Sequence, residues 1–245
     1  MTLPGLPALD LHRFIALFLS GICHQLPQHS ISIGGLQLPL CARCMGTHLG
    51  AALVLGNLWL RGRTRASRLP PVRVLAVLAL FFVVWAMDSV NSYVYFATGR
   101  VMVYTPNNLL RLTTGMLNGL ALSLIVFPMF HFTVWREPGQ ERPVNGIGEL
   151  GIILLQVLIL AIVLPADVAV LAYPTLLLSL LSVLLTLTTV NSMIVLILLR
   201  RENQAERWQQ TIQPLGLGLL LAIAEVGSMA ALRYVLPVPL PSPFL

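Results

Sequence analysis

The chain has 245 residues, 57% hydrophobic and 10% charged, with a mean hydropathy of +0.85. Globular domains carry about 25% charged residues, so a soluble single domain is excluded. The net charge of +6 comes from arginine alone, without a single lysine. Those arginines gather between apolar runs as membrane topology requires, and a nucleic-acid partner is set aside.

Apolar runs near the ~18–20 residues that cross ~30 Å of hydrocarbon recur along the whole length. Seven spans are expected, at about 9–26, 45–60, 72–90, 109–132, 147–171, 174–199 and 212–236. The first is the shortest. Its apolar run from Phe14 to Ile22 covers only ~14 Å at 1.5 Å per residue. It crosses only with Asp10, His12 and Arg13 at the interface, and a re-entrant or tilted course is the alternative. FIALFLSGIC resembles a lipoprotein signal, but Ile22 precedes Cys23 where a small residue is wanted, so a retained helix is expected.

After the first span, SISIGGLQLPL alternates around Gly34-Gly35, which predicts a β-hairpin with a two-residue turn. The hairpin delivers LPLCARCMGTHLG, with Cys41 and Cys44 at the mouth of the second span. The next loop, RGRTRASRLPPVR, carries Arg61, Arg63, Arg65, Arg68 and Arg73, and should be cytoplasmic. Arg13, Arg136, Arg142, Arg200, Arg201 and Arg207 then fall inside too, while Arg43, Arg100, Arg111 and Arg233 do not. This predicts an N-terminus inside and a C-terminus outside, in a prokaryotic cytoplasmic membrane.

On that topology the unusual residues converge. Cys23 and His24 end the first span outside, and Cys41 and Cys44 open the second. Asp88 and Asn91 close the third, and Asn107, Asn108 and Arg111 open the fourth. Four polar clusters from four helix ends thus meet one membrane face.

The ordered set CHQ, LPLCARCMG, the aspartate of WAMDSVNSY and NNLLRLTTGMLNG resembles the domain of unknown function 2085 family of membrane proteins. The likeness covers about residues 11–125. Cys23, His24, Gln25, Cys41, Arg43, Cys44, Gly46, Asp88, Asn108, Arg111, Thr114 and Gly115 match its pattern. The resemblance implies a membrane protein and supplies no established reaction. Residues 8–132 are accordingly expected to form a four-helix core, and 145–245 a three-helix extension.

Three chemistries compete for the cysteines. A hairpin delivering C-x-x-C-x-G is similar to a zinc knuckle, whose tetrahedral ion takes four Cys or His ligands. Cys23, Cys41 and Cys44 offer three, with His24 the nearest fourth; His29 lies in the loop and His48 follows Cys44 by one turn. Adjacent Cys23 and His24 point ~100° apart on a regular helix, so joint ligation requires a frayed helix end. A three-cysteine site with a water would be open and catalytic in type. The second chemistry is thiol–disulfide exchange, since an extracytoplasmic CxxC at a helix N-terminus has a lowered thiol pKa. The third is a structural disulfide with one spare cysteine.

Asp88 and Arg111 are each costly in hydrocarbon, by ~2.5–3.5 kcal/mol at a helix centre. They read either as an ion pair joining the third and fourth spans or as functional groups. In the functional reading Arg111 and Asn108 hold an anion such as a lipid phosphate, and Asp88 is general base or orients a water. Gly46-THL-Gly50 and Gly115-MLN-Gly119 have the small-xxx-small spacing of close helix packing. Glu225, inside the seventh span, should face the bundle and pair with Arg233 or with Asn191.

The expectation is therefore an all-α integral membrane protein with a β-hairpin-like loop. It carries an outer-face metal site, zinc by ligand type, held by Cys23, His24, Cys41 and Cys44, with Asp88, Arg111 and Asn108 as catalytic candidates. The bilayer is its partner and a lipid or amphiphile its expected substrate. A thiol-disulfide oxidoreductase and a transporter or assembly protein are the alternatives.

Overall fold

A computed structural model describes residues 11–236; Asp10 and the last nine residues of the expected extension lie outside them. Among the described residues the chain forms α1 (Leu11–Leu19), β1 (Ser30–Ile33), β2 (Leu36–Cys41), α2 (Ala42–Leu60), α3 (Val72–Thr98), α4 (Asn108–Val134), α5 (Ile147–Val163), α6 (Ala172–Leu198) and α7 (Ile212–Val235). Five helices, α3 to α7, are long and apolar enough to cross a membrane, where the sequence predicted seven spans.

The first departure is α1. Its nine described residues cover about 14 Å. His12 Nε2 lies 2.8 Å from the carbonyl of Gln37, near the hairpin tip, and Cys23 lies against the amide of Cys41 at the hairpin base. The helix therefore runs beside β2 without traversing the bundle. Ile15, Ala16 and Leu19 are buried, while Leu11, Phe14 and Leu17 are exposed, so the helix is apolar on both faces. Among the described residues α1 lies beside the hairpin through His12, and α7 ends beside His24.

The second departure is α2, which carries Arg43, Thr47, His48 and Asn57 and is too polar to read as a span by composition. It packs parallel to α4. A Cβ added at Gly46 would fall on the Leu112 carbonyl, one at Gly50 on that of Met116, one at Gly115 on that of Arg43 and one at Gly119 on that of Thr47. The two small-xxx-small pairs thus let the backbones touch, as their spacing predicted. Met45, Leu49, Val54, Leu112, Met116 and Leu120 continue that contact into a single core that also takes in Leu150, Ile153, Leu176 and Val183.

The hairpin turns at Gly34 and Gly35, with φ of 60° and 76°. Both values lie in the left-handed region that a two-residue turn demands and glycine adopts without cost. Ser30 pairs with Cys41, Ser32 with Gln37 and Ile33 with Leu36. The register is irregular between Ser30 and Ser32, opposite Pro39, which has no N–H to give the ladder. The tip docks on the α5–α6 connection, where Gly34 N–H donates to Asp167 Oδ1 at 2.6 Å.

The arginine-rich loops meet at the opposite end. Arg63 makes a bidentate contact with Glu149 at 2.6 and 3.0 Å, which pushes its pKa up. Arg65 lies over the Trp135 ring, 4.4 Å from the centroid, and near Trp208. Cysteine cluster and arginine loops therefore occupy opposite ends of the helices.

A candidate metal centre on the hairpin face

Helix α1 stops at Leu19, and the chain through Ser20–Leu26 is irregular. That removes the ~100° divergence a continuous helix would impose on Cys23 and His24. Two polar side chains hold the segment open. Gln25, with φ of 55°, folds back so that its Nε2 donates to the Ala16 carbonyl at 2.7 Å. Arg233 of α7 donates to the carbonyls of Ser20 (3.1 Å), Cys23 (2.5 Å) and His24 (2.8 Å). These carbonyls follow a helix C-terminus and lack intrahelical donors, so the cation satisfies them. Arg233 is thereby committed, and Glu225 takes its bond from Asn191 Nδ2 at 3.0 Å, the second of the two predicted partners.

The other side of the cluster is the hairpin-to-helix junction. Cys41 ends β2 and caps α2, its Sγ accepting from the Cys44 amide at 3.5 Å. The Cys41 amide donates to Cys23 Sγ at 3.1 Å, and Cys23 Sγ lies 3.7 Å from His24 Nδ1. The ligand atoms of Cys23, His24 and Cys41 all fall within 4.8 Å of one another. Cys44, one helical turn on, interacts with the Cys41 thiol but stands outside that trio. All three cysteines are free thiols.

The electrostatics favour thiolate at Cys41. Hydrogen bonding from Cys23, then from Cys44 and His24, holds its pKa well below the ordinary thiol value against the opposing effect of burial. His24 is pushed up to about 9, first by its bond to Cys23 and then by Cys41. Its other nitrogen, Nε2, lies 2.8 Å from His29 Nδ1. Burial, followed by the charge of Arg111, brings His29 down to about 4. A neutral His29 accepts from Nε2–H, which turns His24 Nδ1 toward the sulphurs and fixes the tautomer a ligand needs.

This donor set fits a soft or borderline divalent ion. Thiolates with an imidazole are zinc ligands, and bonds of about 2.0–2.3 Å place tetrahedral donors roughly 3.5–4 Å apart, the range in which the Cys23–His24 pair lies. The amide-to-sulphur bonds would stabilise thiolates without competing for the ion.

Beside the trio lies a second polar cluster. Asp88 is 1% exposed and its ion-pair partner is Arg43, where the sequence had pointed to Arg111. Arg43 donates through Nε at 3.1 Å and through Nη2, which also reaches the Asp88 carbonyl and Ser92 Oγ. Tyr104 Oη donates to Oδ1 at 2.5 Å and Thr114 Oγ1 to Oδ2 at 3.1 Å. Burial and the bond to Asp88 raise the Tyr104 phenol to about 12. Asn91 brings Tyr104 there by holding Val103 N–H and the Tyr104 carbonyl, both at 2.9 Å.

The pattern of the fourth span resolves into contacts in the same way. Asn107 caps α4 through the Leu110 amide. Asn108 Nδ2 donates to the carbonyls of Gln28 and Ser30, tying α4 to the hairpin base, and its Oδ1 accepts from Arg111 Nη1 at 2.9 Å. Arg111 shares a cleft with His24, His29, Cys41 and Arg43. The sequence had assigned no role to Tyr104; it had placed His29 in the loop beside the ligands, Gln25 in the family pattern and Arg233 as a partner for Glu225. Gln25 and Arg43 carried a signal in the family pattern; His29, Tyr104 and Arg233 carried none.

Residues 23–125 match the model of a family described as predicted membrane protein (DUF2085). The match begins at Cys23 and ends within α4, so it contains the cysteine–histidine trio and the Asp88–Arg43 pair but not Arg233. No curated protein and no solved structure matches the chain.

Proposed function

We propose that this integral membrane protein carries a metal centre, zinc by ligand chemistry, and acts through it on a lipid or other amphiphile that enters from the bilayer. The observation that carries the reading is the convergence of Cys23, His24 and Cys41 as unlinked donors from two separate chain segments. Cys44 is the remaining soft donor beside Cys41 and fills the fourth position or leaves it to substrate. A zinc ion in such a site supplies Lewis-acid polarisation of a substrate oxygen.

The chain's own residues supply position and charge. Asp88 holds Arg43 in the C-x-R-C turn, and Asn108 holds Arg111 at the cleft. His29 orients His24, and Tyr93 and Phe96 flank the opening on the exposed side of α3. The arginine-rich opposite face supports an extracytoplasmic location for the centre by the positive-inside bias. Residues 8–132 are then the working core, and 145–245 buttress it through Arg233 and Asp167.

Metal analysis of the purified protein tests the reading. Wild type should carry about one equivalent of zinc and Cys41→Ser should lose it; a metal-free wild type with intact thiols would refute it. A Cys41–Cys44 disulfide that cycles with quinone would favour the oxidoreductase instead.

A further inference from the structure

Arg111 is 6% exposed, yet among the described residues its charge has no acidic partner. Among the described residues its one side-chain hydrogen bond goes to Asn108, which leaves four of the five guanidinium N–H groups without an acceptor there. Asp88, the acidic side chain at this end of α3, is already occupied by Arg43, Tyr104 and Thr114. Cys41 lies in the same cleft and a second arginine, Arg43, adds repulsion there, so the unbonded edge of the Arg111 guanidinium stays open to a further anion.

The side chain lines a cleft of about 230 Å³. Its lining includes His24, Cys41 and Arg43 together with Tyr93 and Phe96, which are 71% and 59% exposed on α3. A carboxylate offers two acceptor oxygens to this set, whereas a phosphate monoester offers three non-bridging oxygens and carries the larger charge.

We propose that the cleft is a phosphate-ester site, with Arg111 as its principal ligand and Tyr93 and Phe96 flanking the apolar part of the same molecule. The inference deepens the amphiphile reading above and rests on it, but not on the metal. Arg111 would meet the phosphate through its free edge in a bidentate contact, and Asn108 is the positioning residue that keeps that edge turned into the cleft.

Native mass spectrometry of the full chain in detergent provides the test, with short-chain phosphatidic acid, diacylglycerol of the same chains and inorganic phosphate as probes. Wild type should bind phosphatidic acid and not diacylglycerol. Arg111→Gln should weaken that binding roughly 10- to 100-fold, the loss expected for hydrogen bonds to a charged group. Arg111→Lys, which keeps the charge, should fall between them and carries the test should the glutamine variant not fold. Arg111-dependent binding of inorganic phosphate alone would support the site with a soluble ester or phosphate as ligand. Equal binding of phosphatidic acid by wild type and both variants, or binding of diacylglycerol as tight as that of phosphatidic acid, would overturn it. Cys41→Ser separates the two readings. Binding lost there but kept in Arg111→Gln would assign the anion to the metal and sink this inference alone. Arg111-dependent binding by a wild type without metal would sink the metal reading alone.

Discussion

Replacing Asp88 by asparagine keeps the shape of the side chain and removes its charge. In the native arrangement two carboxylate oxygens take bonds from Arg43, Tyr104 and Thr114. Asparagine offers one oxygen and turns the other position into a donor, so at least one of those donors meets an N–H. Breaking a buried ion pair from one side costs about 3–5 kcal/mol. Arg43 is 19% exposed and can turn partly toward solvent, so the lower end, about 3 kcal/mol, is expected. For a chain of this size that corresponds to a melting midpoint about 6–12 °C lower, measurable by size-exclusion of heated, detergent-solubilised protein. Because Arg43 lies between Cys41 and Cys44, the same variant should also bind zinc more weakly. The decisive comparison adds Arg43→Met. If the pair is the source of the effect, the double variant should be less destabilised than the sum of the singles by 1 kcal/mol or more. Strictly additive effects, or a midpoint unchanged in Asp88→Asn, would refute the assignment of Asp88 as the anchor of Arg43.

The α2–α4 contact predicts a contrast between glycines: Gly119→Ala, whose Cβ would fall on the Thr47 carbonyl, should destabilise by about 1–3 kcal/mol. Gly56→Ala, with open space around it, should be neutral or slightly stabilising in the same thermal assay. The raised His24 pKa gives a signed pH dependence. In the metal-free protein its proton is held up to about pH 9, so the stability it contributes is complete below about pH 6.5 and lost as the pH climbs through 9. Zinc must displace that proton, so apparent affinity should rise about tenfold per pH unit over the same interval for each proton released, as calorimetry in buffers of different ionisation enthalpy would show. Finally, Glu225→Gln should leave zinc content unchanged and stability within about 1 kcal/mol, since glutamine still accepts from Asn191. A variant that lost function there while Cys41→Ser kept it would favour the transporter reading.

Much of this site was legible in one dimension. The glycine pair of the hairpin, the C-x-x-C at its end and the two small-xxx-small runs each impose a local geometry that few other residues permit, and each was found as expected. Cys23, His24 and Cys41 could be grouped because helix ends on one membrane face must lie near one another. Pairing was harder. Asp88 had Arg43 and Arg111 within reach, and spacing along the chain does not say which guanidinium faces it. Arg43 wins because Gly115 lets its backbone lie against α4 while Ser92 and Asp88 project from α3. Arg111 is turned away by Asn108.

Hydropathy alone determined that the chain lives in a bilayer, because only long apolar runs avoid exposing backbone polar groups to hydrocarbon. Arginine spacing determined which loops share a face. Tertiary structure decided what those rules cannot reach. It set α1 beside the hairpin, where His12 reaches the Gln37 carbonyl. It also gave the CHQ turn its shape through Arg233, more than 200 positions away in the chain. A side chain that satisfies distant carbonyls leaves no periodic trace in sequence, because its partner is set by how helices pack and not by how residues are spaced.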